Sequence, residues 1–395
     1  MHIVYFSPHP HLNLAAPSGP GTHMREVIRG FEDAGHTVVP VIMGGTSLSQ
    51  DAGNRQMGGW KARIRSLIPG LLWQSLKDRR LMAFDQHAKQ QLLEVVAREK
   101  PDLIYERGYY LMRSGIEAAK QAGIKHAIEL NAPYPEEKVY MEGKSMFLHK
   151  ANDAERFQAL KSDAIVVVSS ALKEYLMKRT GVEASKILVT PNAVNTALFP
   201  SDTDKWKARK NMGYAEHDIV VGFVGSIFPY HGVDHLIQAF DEAAKQLPML
   251  RLHIVGDGET MTEIKALAER MPSKSSIRFV GKVNHAEVVD HVAAMDIGVM
   301  PKSNWYGSPV KIFEYGMLRC VVVGPNNGPM RDVIRHRENG WLISNQVQDL
   351  SNALTVLAND ANMRNHLANA FYDQIIQQHT WRAVSESILS HCMNA

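Results

Sequence analysis

The run Ser308-Pro309-Val310-Lys311-Ile312-Phe313-Glu314-Tyr315-Gly316 holds the residues best suited to chemistry. Gly307 before it and a proline near its start predict a helix with an open N-terminus. Free backbone N–H groups from Gly307 to Val310 suit a diphosphate, and Lys311 adds a cation where it faces inward. Glu314 lies under two turns beyond Ser308, where its carboxylate can accept both hydroxyls of a ribose. The same residues also suit an ordinary amphipathic helix with a surface lysine and glutamate.

Three other segments invite a chemical reading. The loop Ser18-Gly19-Pro20-Gly21-Thr22 leads into an amphipathic helix from about Thr22 to Ala34. Its glycines let backbone approach a ligand, and the helix start attracts anions. Met24 stands where the dinucleotide fingerprint G-x-G-x-x-G needs its third glycine, so that motif is absent. His9-Pro10-His11 has no carboxylate or cysteine set beside it and reads as a loop, not a metal site. Trp60 to Arg80 carries six basic residues, among them Lys61, Arg63 and Arg65, and two tryptophans. That composition suits either an anionic membrane surface or a helical pair with an exposed basic face.

These groups need elements to hold them. The chain has 395 residues, enough for two domains. Hydrophobic residues at 45% and charged residues at 22% fit a globular protein. A net charge of +3 gives no global argument for nucleic acid. No basic n-region opens the chain and no run of 18 apolar residues occurs, so the reading is cytoplasmic. Cys320 and Cys392 form no disulfide framework, and Cys320 reads as a small core residue before Val321.

Short apolar runs alternate with helical patterns. Strands are predicted at His2–Phe6, Val38–Met43, Leu103–Tyr105, His126–Leu130, Ala164–Val168 and Ile187–Val189. The pattern restarts at Ile219–Gly225, with a helix over Val233–Leu247. Further strands follow at Leu250–Val255, Ile277–Val280, Ile297–Met300 and Cys320–Val323, and helices end the chain. This alternation predicts an α/β protein with two doubly wound, Rossmann-like parallel sheets. The expected domains are 1–192 and 193–379, with a helix at about 380–395 packing back on the first. Ligands are then expected beyond the carboxyl ends of the strands, in a cleft.

The Ser308–Gly316 segment resembles the donor-binding helix of the retaining glycosyltransferase family 4, whose fold is called GT-B. Other pieces are similar in the same order: Gly222-Phe223-Val224-Gly225-Ser226 with His231-Gly232-Val233-Asp234, Ile254-Val255-Gly256-Asp257-Gly258-Glu259, Phe279-Val280-Gly281-Lys282-Val283 and Asn339-Gly340-Trp341-Leu342. In the first half, Ile128-Glu129-Leu130-Asn131-Ala132-Pro133 and Pro191-Asn192-Ala193-Val194-Asn195 also match. Departures mark a subgroup with a Ser-Pro-x-Lys donor helix. Tyr306 replaces the first of the family's two glutamates, Ser226 stands where arginine is common, and His231 where lysine is common. Arg107 aligns with a family histidine.

The resemblance implies a metal-independent, retaining transferase for a nucleotide-sugar donor, of UDP or GDP type, with no separate cofactor. The donor would lie on Gly225, Ser226, His231, Gly256, Gly281, Lys282, Tyr306 and the Gly307–Glu314 segment. Ser18, Gly19, Gly21, Thr22, Glu129 and Asn131 would face a sugar, lipid-linked or small-molecule acceptor. Arg107, Lys311 and Glu314 would serve the reaction, and synthesis of a polysaccharide or glycoconjugate would be its setting. Two rivals share the fold: a nucleotide-sugar epimerase, which needs an acid–base carboxylate pair, and a non-catalytic nucleotide-sugar binder.

Overall fold

The computed structural model describes residues 1–16, 18–47 and 68–395; Lys61, Arg63 and Arg65 lie outside the described residues. The chain forms two compact units, Met1–Thr190 with Trp381–Ala395, and Pro191–Thr380.

In the first unit, β1 (His2–Ser7), β2 (Thr37–Ile42), β3 (Leu103–Arg107), β4 (Lys125–Leu130), β5 (Ala164–Val167) and β6 (Ile187–Val189) are arranged β2-β1-β3-β4-β5-β6. All neighbours are parallel. Every residue of β3 and β5 is buried, as a sheet covered on both faces requires. Pro40 lies in β2, an edge strand where a missing N–H breaks no central ladder. The order reverses between β1 and β3, so the loops after these strands flank the switch point.

The helix Trp381–Asn394, last in sequence, belongs to this unit and packs on the helix Gly19–Asp33. A Cβ on Gly30 would stand 2.4 Å from the Ser385 hydroxyl and 2.7 Å from the Trp381 carbonyl oxygen. Only a glycine permits that approach.

The second unit repeats the plan with β7 (Ile219–Val224), β8 (Leu250–Val255), β9 (Ile277–Gly281), β10 (Ile297–Val299), β11 (Val321–Pro325) and β12 (Trp341–Ile343). Their order is β12-β11-β10-β7-β8-β9, again parallel, with the reversal between β7 and β10. The pattern of apolar runs missed β12, a strand of three residues. Cys320, fully buried before β11, donates its thiol to the Val292 carbonyl at 3.3 Å.

Candidate functional site

The helix carrying Lys311 and Glu314 spans Lys311–Met317 and so begins three residues after Ser308. Two contacts fix it. The Val224 N–H, at the end of β7, donates to the Tyr315 hydroxyl at 2.8 Å. The Tyr315 ring also lies where a Cβ on Gly298 of β10 would stand, 2.4 Å from ring carbons. On its other side Gly316 admits the Phe371 ring, 2.4 Å from where a Cβ would be. Lys311, one turn before Tyr315, is thereby held over the carboxyl ends of β7 and β10.

Lys311 is half-buried, but its Nζ is shut from solvent and has no hydrogen-bond partner among the described residues. It sits 4.1 Å from the centroid of the Phe223 ring, whose π-face offers partial compensation. Gly225, at φ +135, makes room for it: a Cβ there would lie 2.7 Å from Nζ. Burial lowers the Lys311 ammonium to about 7, although Glu314 opposes the shift. Glu314 is 8% exposed, and burial raises its carboxyl to about 7 against the pull of Lys311. Nζ thus has no hydrogen-bonded anion among the described residues, and Glu314 acts on it only through space.

The glycine loops after β7, β8 and β9 interlock. Gly225 N–H donates to the Val255 carbonyl at 2.9 Å and Gly256 N–H to the Gly281 carbonyl at 2.8 Å. A Cβ on Gly256 would stand 1.9 Å from the Gly225 oxygen, and its φ is +129. Gly281 has nothing within 4 Å of its Cβ position, and Lys282 beside it is exposed. The Ser226 carbonyl accepts from His231 Nδ1 at 2.5 Å. That fixes the proton on Nδ1 and leaves a lone pair on Nε2. Burial and the nearby Lys311 lower the imidazole to about 4. Without a ligand His231 is therefore neutral at pH 7.

The approach to the helix is tied down internally. Gly307 N–H donates to Asn304 Oδ1 at 2.6 Å, and Pro309 has no N–H. The Ser308 hydroxyl accepts from the Asn192 N–H at 2.9 Å, and Asn192 Nδ2 donates to the Ser308 carbonyl. Of the amides expected to face a diphosphate, those of Ser308 and Val310 remain, and that of Lys311 follows them at the helix start. Tyr306 packs edge-on against Trp305, ring centroids 5.3 Å apart. Sequence reasoning overlooked Lys302, just beyond β10. Its Nζ donates to His235 Nε2 at 2.8 Å, and its stem fills the space that a Cβ on Gly232 would need. Its position past a strand's carboxyl end was the available signal.

In the first unit Arg107 and Glu129 are register partners on β3 and β4 and form a buried pair, Nη1 to Oε1 3.1 Å. Glu129 also accepts from the Tyr105 hydroxyl at 2.8 Å and from Asn131 Nδ2, and lies 2.7 Å from His23 Nε2. Burial pushes its carboxyl up, but His23, Arg107 and Asn131 together hold it well below the usual range. The structure thus brings Arg107, Glu129 and Asn131 together in one buried network, in which Arg107 Nε is left without a hydrogen-bond partner. Ser18 caps the helix from Gly19, its Oγ accepting from Gly21 N–H at 3.3 Å. A Cβ on Gly21 would meet the Ala16 oxygen at 2.4 Å, so this glycine admits its own loop. Thr22 Oγ1 accepts from Arg25, which also donates to the carbonyls of Leu14 and Ala16.

A second feature of this unit has no counterpart in the sequence reading. A cavity of about 750 Å³ opens beyond β1 and β3, at the switch point, with His9, Tyr109 and Tyr134 on one side and Trp73 and Phe84 on the other. Among the described residues no group of three or more His, Cys, Asp or Glu could hold a metal ion, and no helix is long and apolar enough to cross a membrane.

Comparison with known proteins bears on this geometry. Residues 17–198 match the family described as Glycosyltransferase Family 4, and residues 204–374 that described as Glycosyl transferases group 1. The chain is 26% identical over 298 residues to the UDP-Gal:alpha-D-GlcNAc-diphosphoundecaprenol alpha-1,3-galactosyltransferase of Escherichia coli, covering 71% of this chain and 74% of that one. It is 26% identical over 205 residues to an exopolysaccharide phosphotransferase of Streptomyces coelicolor, covering 50% of this chain and 20% of the other. Against several curated relatives the match spans from a fifth to half of their length. The crystal structure of Anabaena HepE in complex with UDP superposes with a TM-score of 0.73 at 17% identity, covering 100% of both chains. Its two six-stranded parallel sheets share the GT-B fold of such neighbours, and with both halves matched the chain belongs to the family 4 type of glycosyltransferases.

Proposed function

We propose that this protein is a retaining, metal-independent glycosyltransferase that moves a hexosyl group from a UDP- or GDP-sugar to an acceptor. The observation that carries the reading is the solvent-shielded, partnerless Lys311 ammonium beside Gly225 and Glu314. A donor diphosphate supplies the anion it lacks, and the amides of Ser308, Val310 and Lys311 add dipoles. Glu314 accepts from the ribose hydroxyls. As the bond from the anomeric carbon to the phosphate oxygen breaks, negative charge grows on that oxygen, and Lys311 stabilises it. The acceptor oxygen bonds to the anomeric carbon on the same face and passes its proton to the leaving phosphate. The UDP-Gal in the name of the Escherichia coli relative and the UDP bound to HepE support a uridine donor. Lys282, Tyr306 and His231 are assigned to the same donor site, with Tyr306 at the sugar.

Glu314→Ala tests the reading. Loss of a charged hydrogen bond is worth about 1.5–3 kcal/mol, so donor affinity should fall roughly ten- to a hundredfold with the melting temperature kept. Unchanged donor affinity and turnover overturns the assignment. Transfer that EDTA abolishes and manganese restores overturns the metal-free mechanism.

A further inference from the structure

Tyr306, the residue assigned to the donor sugar, takes its place from the loop that carries it. That loop runs from Lys302 to Gly307 and follows β10, which lies between β11 and β7 in the sheet. It is tied on both sides. Toward β7, the Lys302 N–H donates to the His231 carbonyl at 3.2 Å. Toward β11, Asn327 Nδ2 donates to the Ser303 hydroxyl at 2.8 Å and to the Asn304 carbonyl at 3.4 Å. Asn304 then closes a turn, because its Oδ1 accepts from the Gly307 N–H at 2.6 Å. A Cβ on Gly307 would stand 2.7 Å from that oxygen, so a larger residue would push the turn open. Trp305 and Tyr306 are the two residues inside the turn, and their rings meet edge-on.

The two ends of the Asn327 amide do different work. Its Oδ1 accepts from the Met330 N–H at 3.1 Å and caps the short helix Gly328–Arg331. Met330 is fully buried, and its Cε would lie 2.3 Å from a Cβ on Gly324, so this helix is anchored in the core beside β11. An oxygen that accepts from an N–H fixes the amide's orientation and turns Nδ2 toward the loop. The cap needs only the oxygen, and serine or aspartate would serve it as well. The NH2 group has its partners in the loop after β10 alone. It therefore couples an anchored element to the turn that presents Tyr306.

We propose that Asn327 is a positioning residue for donor-sugar selection: through Ser303 and Asn304 it holds the Asn304–Gly307 turn, and with it the Tyr306 ring, in place against the sugar. The inference rests on the transferase reading and on the assignment of Tyr306 to the sugar.

Titration calorimetry of the full-length protein with UDP, UDP-glucose, UDP-galactose and UDP-N-acetylglucosamine tests it. Asn327→Ser keeps a capping oxygen and loses Nδ2, while Ser303→Ala removes the partner. Each should change the affinity ratio between the best- and worst-bound sugar roughly three- to tenfold, the weight of one neutral hydrogen bond, and leave UDP affinity within about twofold. The melting temperature should hold. In a Tyr306→Ala background Asn327→Ser should alter the ratio no further, because its effect passes through that ring. Unchanged ratios in both folded variants overturn the proposal. So does an equal loss of affinity for UDP and all three sugars, the mark of a merely structural role, and so does a full effect that persists beside Tyr306→Ala. Should Asn327→Ser unfold, Ser303→Ala decides, since Ser303 is half-buried in a loop and caps no helix. A wild-type protein that binds these nucleotides, with ratios untouched in the variants, loses the positioning role alone. One that binds neither UDP nor GDP, free or sugar-linked, loses the transferase reading, and the positioning role falls with it.

Discussion

The Lys311 ammonium lies 4.1 Å from the centre of the Phe223 ring and finds no hydrogen-bond acceptor among the described residues. A buried cation in that position costs stability, because ring electrons replace only part of its lost hydration. Lys311→Met removes the charge and nearly keeps the shape. The ligand-free variant should melt at the same temperature or higher at pH 6, where the parent carries the charge. Its donor affinity should drop roughly ten- to a hundredfold, about 1.5–3 kcal/mol. Scanning fluorimetry and titration calorimetry with UDP-glucose and GDP-glucose read both. A less stable variant with full donor affinity would make Lys311 a scaffold residue.

Protons should move when the donor binds. Burial brings both Lys311 and Glu314 to about 7 in the ligand-free protein. At pH 8 Lys311 is mostly neutral, and a neighbouring diphosphate favours its charged form, so binding takes up a proton. At pH 6 Lys311 is already charged while Glu314 is mostly protonated. Ribose hydroxyls favour the ionised carboxylate, so binding there releases a proton. Calorimetry in two buffers of different ionisation enthalpy at each pH should therefore show a change of sign. Zero exchange at both values contradicts the donor geometry.

Arg107 is predicted to matter for folding. Its guanidinium and the Glu129 carboxylate are both buried, at 8% and 2% side-chain exposure, so removing Arg107 takes a buried counter-charge from Glu129. Breaking a buried pair costs about 3–5 kcal/mol. Arg107→Met should lower the melting temperature by roughly 6–20 °C, while the folded fraction keeps its donor affinity. A variant of full stability that has lost turnover would return Arg107 to the reaction.

Tyr306 should govern which sugar is accepted. Its ring leans edge-on against Trp305, which is 44% exposed. Tyr306→Phe tests the hydroxyl and keeps that packing; Tyr306→Ala removes both. Each should change discrimination among sugars on one nucleotide, with less effect on affinity for the free nucleotide. The opposite outcome, lost nucleotide binding with unaltered sugar preference, places Tyr306 in the scaffold.

The two parallel sheets were legible because strands buried on both faces must be continuous apolar runs, as in Val220–Val224 and Ala164–Val167. The chemistry at Lys311 was legible in residue type but not in charge state. Its shift depends on Phe223 and Gly225, both more than 80 residues away in sequence. The charge state of His231 was hidden in the same way, since its proton is fixed by a carbonyl and its charge by burial. The cavity stayed hidden because Trp73, Tyr109 and His9 come from three distant segments, and each alone reads as an ordinary aromatic or loop residue.

The return of the helix Trp381–Asn394 to the first unit imposes an order on biosynthesis. Chains leave the ribosome N-terminus first, and domains ordinarily fold as they emerge. Here the helix Gly19–Asp33 waits for a partner made some 350 residues later, after all of Pro191–Thr380 has appeared. Until then Ser385 and Trp381 are not there to close over Gly30, and that face of the helix lacks its cover. The nascent first unit is thus a client for chaperones, and a premature stop codon just before Trp381 would damage the part of the protein that was translated first.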